Sequence, residues 1–150
     1  MPDYTGNTGK SSKFEAGRLR VLKEGGDVAV FAHGTMIDAS MKAAEVLETR
    51  GISAAVVNVG TMKPFDGEGM RKIAKSVKAV LTAEEHTYIG GLASHAAFAL
   101  RGMGIPMDYV AIEDQFGQSA RTVLELQEHY GLTPGRIAEK AAAMLDLDEM

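Results

Sequence analysis

Four short apolar runs limit the folds that this chain can adopt. Each run is long enough for one buried strand and is followed by glycine or polar residues, and between the runs apolar residues recur at helical spacing. The runs cover residues 28–32, 52–59, 79–83 and 109–112. Buried strands that alternate with amphipathic helices predict an α/β fold, with a parallel sheet covered on both faces and right-handed crossovers.

The first two helical segments carry start and stop signals. Thr35 stands where it can cap the first helix, with Asp38 in a weak capping-box position. Gly51 is suited to end that helix in the left-handed conformation. Pro64 and Asp66 lead into the second helix. The core faces predicted for the two helices are Ile37, Met41, Ala44 and Leu47, then Met70, Ile73, Ala74 and Val77.

Three more helices are predicted in the second half of the chain. A helix of small residues opens at Gly90-Gly91 and runs to about residue 100. The next begins with a capping box of Thr122 and Glu125. The last begins at Thr133-Pro134, with proline at the first helical position, where its missing N–H is harmless. Its predicted apolar stripe is Ile137, Ala141, Met144 and Leu145.

The N-terminal part differs in character from the rest. Residues 1–13 are polar and lack periodicity, so we expect a flexible lead, with residues 14–150 forming one domain. Residues 18–23 alternate imperfectly and carry charge, and Gly25-Gly26 then makes a turn. A central strand would not hold so much charge, so this segment is predicted to be an antiparallel edge strand.

Composition excludes several kinds of function. The chain has no cysteine, which excludes disulfides, thiolate metal sites and a cysteine nucleophile, and fits a cytoplasmic protein. The net charge is −4, and the second half of the chain is strongly acidic, so no basic face for nucleic acid is expected. No apolar stretch is long enough to span a bilayer, so no membrane contact is expected either.

The segment from Glu84 to Ser94 is the most unusual part of the sequence. It follows a predicted buried strand and opens a helix, and open α/β sheets bind ligands at that edge. Glu84, Glu85 and His86 could perform acid–base chemistry, and the helix N-terminus could hold an anion. The other interpretation is that these side chains lie on a rim or contact a partner, with Gly90-Gly91 letting the helix approach the sheet.

Other chemical motifs are absent or weak. No Walker loop, dinucleotide fingerprint or nucleophile elbow occurs, so a free-standing hydrolase is unsupported. The four histidines show no ligand spacing, and His95 is interpreted as a hydrogen-bonded structural residue. The acidic pair Glu113-Asp114 could bind a hard cation, but a surface loop anchored by Phe116 is the simpler interpretation.

Several segments together resemble one known family, the C-terminal domain of transketolase. The resemblance is stronger to split transketolases, 1-deoxyxylulose-5-phosphate synthase and the β subunits of 2-oxoacid dehydrogenases, and it spans about residues 14–145. The matching segments are Phe14-Glu15-Ala16-Gly17-Arg18, Val21-Leu22-Lys23-Glu24-Gly25, residues 27–32 with Gly34-Thr35, Lys63-Pro64-Phe65-Asp66, Glu84-Glu85-His86, Ile89-Gly90-Gly91-Leu92, Phe116-Gly117-Gln118-Ser119 and Tyr130-Gly131-Leu132-Thr133. The chain departs from the family pattern at His33, Ala120 and Arg121.

The resemblance implies a three-layer α/β/α domain with a five-stranded mixed sheet whose first strand is antiparallel. It also implies part of a thiamine-diphosphate enzyme that moves a two-carbon ketol unit between sugar phosphates with a divalent metal. In that family the cofactor and metal are held by two other domains, so those domains or a subunit that carries them are the implied partners. Whether this chain is a natural subunit or a piece of one is left open.

We therefore expect an assembly domain with no catalytic, cofactor-binding or metal-binding residues of its own, in a homo-oligomer. The alternative is a small-molecule or nucleotide-binding module that uses the crevice near Gly34-Thr35 and residues 84–86. The resemblance implies an interface role for Glu85, His86, Gly90 and Gly91. The complete set of candidate interface or crevice residues is Gly34, Thr35, Glu84, Glu85, His86, Gly90 and Gly91.

Overall fold

The five strands of this computed structural model form one sheet in the order β1-β3-β2-β4-β5. The structure describes residues 18–60, 65–87, 90–112 and 132–148. The strands are β1 (Arg20–Lys23), β2 (Val28–Ala32), β3 (Ala54–Asn58), β4 (Ala79–Thr87) and β5 (Met107–Ile112). The helices are α1 (Met36–Thr49), α2 (Gly67–Ala74), α3 (Leu92–Ala99) and α4 (Pro134–Asp148). β1 is antiparallel to β3 and the other pairs are parallel, which confirms the predicted mixed sheet.

Helices cover both faces of the sheet, as the uninterrupted apolar strands predict. Every residue of β2 is buried, because β2 is central and both of its faces are covered. Val28 and Val30 pack with α1 and α4 on one face, and Ala29 and Phe31 pack with α2 and α3 on the other. Two apolar clusters therefore share one sheet, which is the predicted three-layer arrangement.

The edge strand β1 is held close to β3 by a glycine. A Cβ atom added to Gly25 would lie 2.3 Å from the backbone carbon of Ala54, whereas one added to Gly26 would meet nothing within 4 Å. The turn after β1 thus needs a residue without a side chain at the first position only. The predicted charged edge strand is confirmed, although it begins at Arg20 rather than at residue 18.

Helix α1 ends as predicted but begins differently. Gly51 has φ +78°, and Ile52 N–H donates to Leu47 O at 3.0 Å, which is the Schellman arrangement. Thr35 occupies the N-cap position, but its side chain accepts no capping hydrogen bond. The predicted capping role of Thr35 is therefore wrong. Its backbone is already helical, with φ −67° and ψ −16°, whereas a capping hydroxyl needs an extended backbone.

Strand β4 is longer than predicted. The apolar run ends at Ala83, but the strand continues through Glu84, Glu85 and His86 to Thr87. Pairing with β5 resumes at Thr87 and Ile112 after a register shift, so hydrogen bonding extends the strand beyond its apolar residues. β5 likewise begins two residues earlier than predicted, at Met107, and β3 is shorter than the run 52–59.

The remaining predicted elements have mixed outcomes. Asp66 leads into α2, as predicted, and it also caps that helix by accepting from Gly69 N–H at 2.9 Å. Pro134 is the first residue of α4, as predicted. The predicted helix that begins at Thr122, and the loop around Phe116, lie outside the described residues. In the described part of the chain, no helix has the length and apolar character needed to cross a membrane.

Candidate functional site

The candidate site lies where two central strands send their connections to opposite faces of the sheet. After β2 the chain passes to α1 on one face, and after the neighbouring strand β4 it passes to α3 on the other. Open α/β sheets have their ligand crevice at such a point. Gly34, with φ +63°, and Thr35 follow the end of β2, and residues 84–86 lie near the end of β4. The structure therefore brings the two predicted halves of the crevice to adjacent strand ends.

The side chain of Glu84 holds helix α3 in place. The side chain is only 3% exposed, and its two carboxylate oxygens accept from the N–H groups of Leu92 and Ala93, each at 2.8 Å. These N–H groups belong to the first turn of α3, where they have no partner within the helix. The negative charge also lies at the positive end of the helix dipole. Glu84 thus caps α3 from the neighbouring strand.

This arrangement contradicts two of the chemical interpretations of the segment. The N–H groups that an external anion would need are bound by Glu84, so the N-terminus of α3 does not offer an anion site. Both oxygens of Glu84 are also engaged, and the residue is shielded from solvent, so it is poorly placed to exchange protons with a substrate. Of the predicted acidic pair, only Glu85 is exposed.

The glycine pair shapes the turn between Glu84 and α3. Gly90 has φ +76°, a conformation that L side chains rarely adopt, and its N–H donates to Ser94 Oγ at 3.0 Å. Gly91 is the N-cap residue of α3 and is buried. Gly90 and Gly91 therefore lead directly into a helix that lies against the sheet. His86 is the residue before the last one of β4.

Two histidines have structural partners. Nδ1 of His33 lies 2.6 Å from Val59 O and joins the ends of β2 and β3. Nδ1 of His95 lies 2.8 Å from Gly91 O, and its ring packs against Phe65 with 5.2 Å between centroids. The hydrogen-bonded structural role predicted for His95 is confirmed.

A groove lies between α2 and α3, and no sequence pattern predicted it. It has a volume of about 560 Å³, and mainly apolar atoms line it. We call it the α2–α3 groove; its lining residues are Phe65, Gly67, Glu68, Arg71, Ser94, His95, Phe98, Ala99 and Arg101. Phe98 stands beside it with 69% of its surface exposed. The available signal was α3 itself, in which Ser94 and His95 are the polar residues and Phe98 is apolar yet exposed.

The start of α3 does not fit the diphosphate of thiamine diphosphate. A diphosphate needs free N–H groups or cations at a helix start, and at α3 Glu84 occupies that place. Among residues 18–60, 65–87, 90–112 and 132–148, no group of three His, Cys, Asp or Glu side chains could hold a metal ion. At the end of β4, Glu84 stabilises the fold instead.

The fold and site together define an α/β/α domain in which a glutamate on a central strand caps a helix that covers the sheet. Residues 17–137 match the family "Transketolase, C-terminal domain", and the chain belongs to that family. The match covers most of the chain and confirms the resemblance found in the sequence.

Three comparisons show how similar the relatives are. The chain is 41% identical, over 133 residues, to the 6-deoxy-6-sulfo-D-fructose transketolase subunit SqwH of Clostridium sp. (strain MSTE9), covering 88% of this chain and 41% of that protein. It is 38% identical to the 1-deoxy-D-xylulose-5-phosphate synthase of Symbiobacterium thermophilum, covering 86% of this chain and 20% of the synthase. The solved structure "Split gene transketolase, inactive beta4 tetramer" superposes with a TM-score of 0.84 at 43% identity, covering 90% of this chain and 44% of that one. The chain therefore spans less than half the length of these relatives.

Proposed function

We propose that this chain is the C-terminal section of a thiamine-diphosphate-dependent, transketolase-like enzyme that transfers two-carbon ketol units between sugar phosphates. Its role is to assemble that enzyme rather than to carry a complete active site. The observation that supports this most directly is Glu84, which uses the polar groups of the crevice to anchor α3. The family match supports the enzyme class, because the matched relatives are transketolase subunits and deoxyxylulose-phosphate synthases.

The proposed partners are the thiamine-binding domains, carried either by a longer form of this chain or by another subunit. The relative SqwH is named as a transketolase subunit, and the split-gene relative is described as a tetramer of β chains, which supports assembly with other copies or chains. We extend this to a homo-oligomer, and we place the protein in the cytoplasm because a cysteine-free chain fits a reducing compartment.

The proposed contact with these domains includes Glu85, His86, Gly90 and Gly91. Glu85 and Gly90 are exposed at the carboxyl end of β4, where a neighbouring domain can reach them. Gly91 is buried and acts indirectly, by fixing the position of the turn. A side chain placed on Gly90 would strain its left-handed backbone and displace this surface.

An assay of the isolated chain tests the proposal. With xylulose 5-phosphate, ribose 5-phosphate, thiamine diphosphate and Mg²⁺, we expect no turnover by this chain alone. Adding the chain that carries the thiamine-binding domains should produce turnover, and a complete transketolase serves as the positive control. Turnover by the isolated chain would overturn the proposal.

Calorimetry separates the proposal from the alternative of a nucleotide-binding or small-molecule module. The probes are ATP, ADP and ribose 5-phosphate, titrated into the isolated chain. We expect no heat of binding up to millimolar ligand. A saturable signal that Thr35→Arg abolishes would favour the crevice near Gly34 as a ligand site instead.

A further inference from the structure

The two edges of the sheet differ in how well their sequences discourage a further strand. An edge strand leaves a row of backbone N–H and C=O groups that can pair with a strand of another molecule. At one edge, β1 is only four residues long, includes the charged Arg20 and Lys23, and has a register irregularity between Val21 and Lys23. Short length, charge and irregular pairing all make β1 a poor template for another strand.

The sequence of β5 gives the other edge less protection. β5 is the outermost strand on this side of the sheet among the described residues, and Asp108 is the one charged residue of its six. Val110 and Ala111 are buried, so the strand belongs to the core. A largely apolar strand at an edge favours pairing with another chain. Protection of this edge therefore depends on tertiary contacts.

The backbone groups of Tyr109 point to the outer side of β5. Thr82 of β4 lies opposite Tyr109, and one pair earlier Val80 N–H donates to Pro106 O at 2.9 Å. In a parallel pair, such bonds go to the residues that flank the opposite residue, and they recur at every second position. The two neighbours of Tyr109 therefore bond to β4, and Tyr109 itself turns its N–H and C=O away from the sheet.

Two side chains already bond these outward groups. Tyr109 N–H donates to Asp108 Oδ1 at 2.8 Å, and Lys140 Nζ of α4 donates to Tyr109 O at 2.6 Å. The ammonium group also lies 3.7 Å from Asp108 Oδ1 and 4.9 Å from the centre of the Tyr109 ring. The side chain of Lys140 is only 15% exposed, so its cation is held against the edge of the strand. An incoming strand would have to displace both side chains to pair with Tyr109.

We propose that Lys140 and Asp108 form a strap that closes the outer edge of β5 and prevents the sheet from adding a strand of a second copy of this chain. Lys140 occupies the outward acceptor of Tyr109, and Asp108 occupies its outward donor. Both hydrogen bonds that an added strand would make at this residue are thus already formed. Assembly of the proposed enzyme then uses surfaces other than this edge. The strap acts within one chain, so it can fail its test while the enzyme assignment stands.

Substitution of Lys140 in the full 150-residue chain tests the strap. Lys140→Met keeps an apolar stem and removes the ammonium group, so sedimentation velocity should show larger species that grow with concentration and that the wild type lacks. Lys42→Met is the matched control, because it removes the same charge from an ion pair of 3.3 Å with Asp38 on α1. Lys140→Arg should behave as the wild type, since it restores a cation with several N–H donors.

Amide hydrogen exchange locates the association. When Lys140→Met is concentrated, exchange in residues 107–112 should slow by roughly tenfold, the order expected for an added backbone hydrogen bond, while exchange in β1 stays unchanged. Asp108→Ala opens the donor instead of the acceptor and leaves α4 unaltered, so it should associate at the same edge. Far-UV circular dichroism verifies folding, and Asp108→Ala decides the test if Lys140→Met does not fold.

Three results would overturn the proposed strap. The first is that the folded variants at Lys140 and Asp108 associate no more than Lys42→Met does. The second is association that leaves exchange in residues 107–112 unchanged, because the contact would then lie elsewhere. The third is association of Lys140→Arg to the same extent as Lys140→Met, because a cation at this position would then not protect the edge.

Discussion

Burying a carboxylate is costly unless its oxygens are hydrogen-bonded. Glu84 meets this condition through the two N–H groups of α3. The same contact therefore offsets the cost of burying the carboxylate and anchors the helix. Thr82, two residues earlier on the same strand, shows the opposite case. Its side chain is fully buried, and its Oγ1 has no hydrogen-bond partner among the described residues. The two side chains are two residues apart and lie on the same face of β4, yet only Glu84 reaches the start of a helix.

Replacing Glu84 tests its capping role. We expect Glu84→Gln to lower the free energy of unfolding by about 1.5–3 kcal/mol, because a charge-assisted bond is lost and an amide replaces one acceptor. Urea unfolding followed by far-UV circular dichroism measures the change. Glu45→Gln on the exposed surface of α1 removes the same charge without touching a helix start, and it should change stability by less than about 0.5 kcal/mol. Equal effects of the two substitutions would contradict the role.

The helices of this domain begin in different ways. α2 has a local cap, Asp66, whose second oxygen also accepts from Leu19 N–H at 3.2 Å and so ties the start of β1 to α2. α3 is capped from another element, by Glu84. α1 has a threonine at its N-cap position but no side-chain cap. A residue suited to capping therefore does not by itself show that a cap is formed.

Alanine substitutions at Asp66 and at Thr35 compare a position that caps its helix with one that does not. Asp66→Ala should destabilise the domain by about 1–2 kcal/mol, because it frees the N–H of Gly69 and of Leu19. Thr35→Ala should cost less than about 0.5 kcal/mol, because no capping bond is lost. Urea midpoints at matched m-values provide the comparison. A larger loss for Thr35→Ala than for Asp66→Ala would contradict this account of the helix starts.

At the scale of the whole molecule, one sheet joins two apolar clusters. Alternate residues of β2 and β4 point to opposite faces, so each central strand contributes to both clusters. Neither cluster can lose its packing without exposing strands that the other also needs. The described domain is therefore expected to unfold as a single cooperative unit.

Neighbouring residues of β4 test this cooperativity. Leu81 packs on the α1 and α4 side, and Val80 packs on the α2 and α3 side. Leu81→Ala should cost about 2–5 kcal/mol, and Val80→Ala somewhat less, because a smaller side chain is removed. Both variants should shift the same single transition, seen together by calorimetry and by circular dichroism. Two resolved transitions, or a shift in only one probe, would contradict the shared core.

The amino-acid sequence was sufficient to predict the described strands and helices and their order. Apolar runs define the strands, helical spacing defines the buried faces, and Gly51 and Pro134 mark helix boundaries, because all of these signals are local to a few residues. The charge on residues 18–23 predicted an antiparallel edge strand, and the family resemblance implied the same direction, which the structure confirms.

The tertiary structure alone decided what the polar residues do. Glu84 could act as an acid, border an anion site or cap a helix, and its residue type does not decide among these roles. The position of α3 relative to β4 decides, because it brings two N–H groups within hydrogen-bond distance of the carboxylate. The length of β4 depends on its pairing with β5, and the α2–α3 groove exists only because two helices lie side by side. Local patterns specify which surfaces are buried, whereas a site is formed by distances between elements, which no local pattern contains.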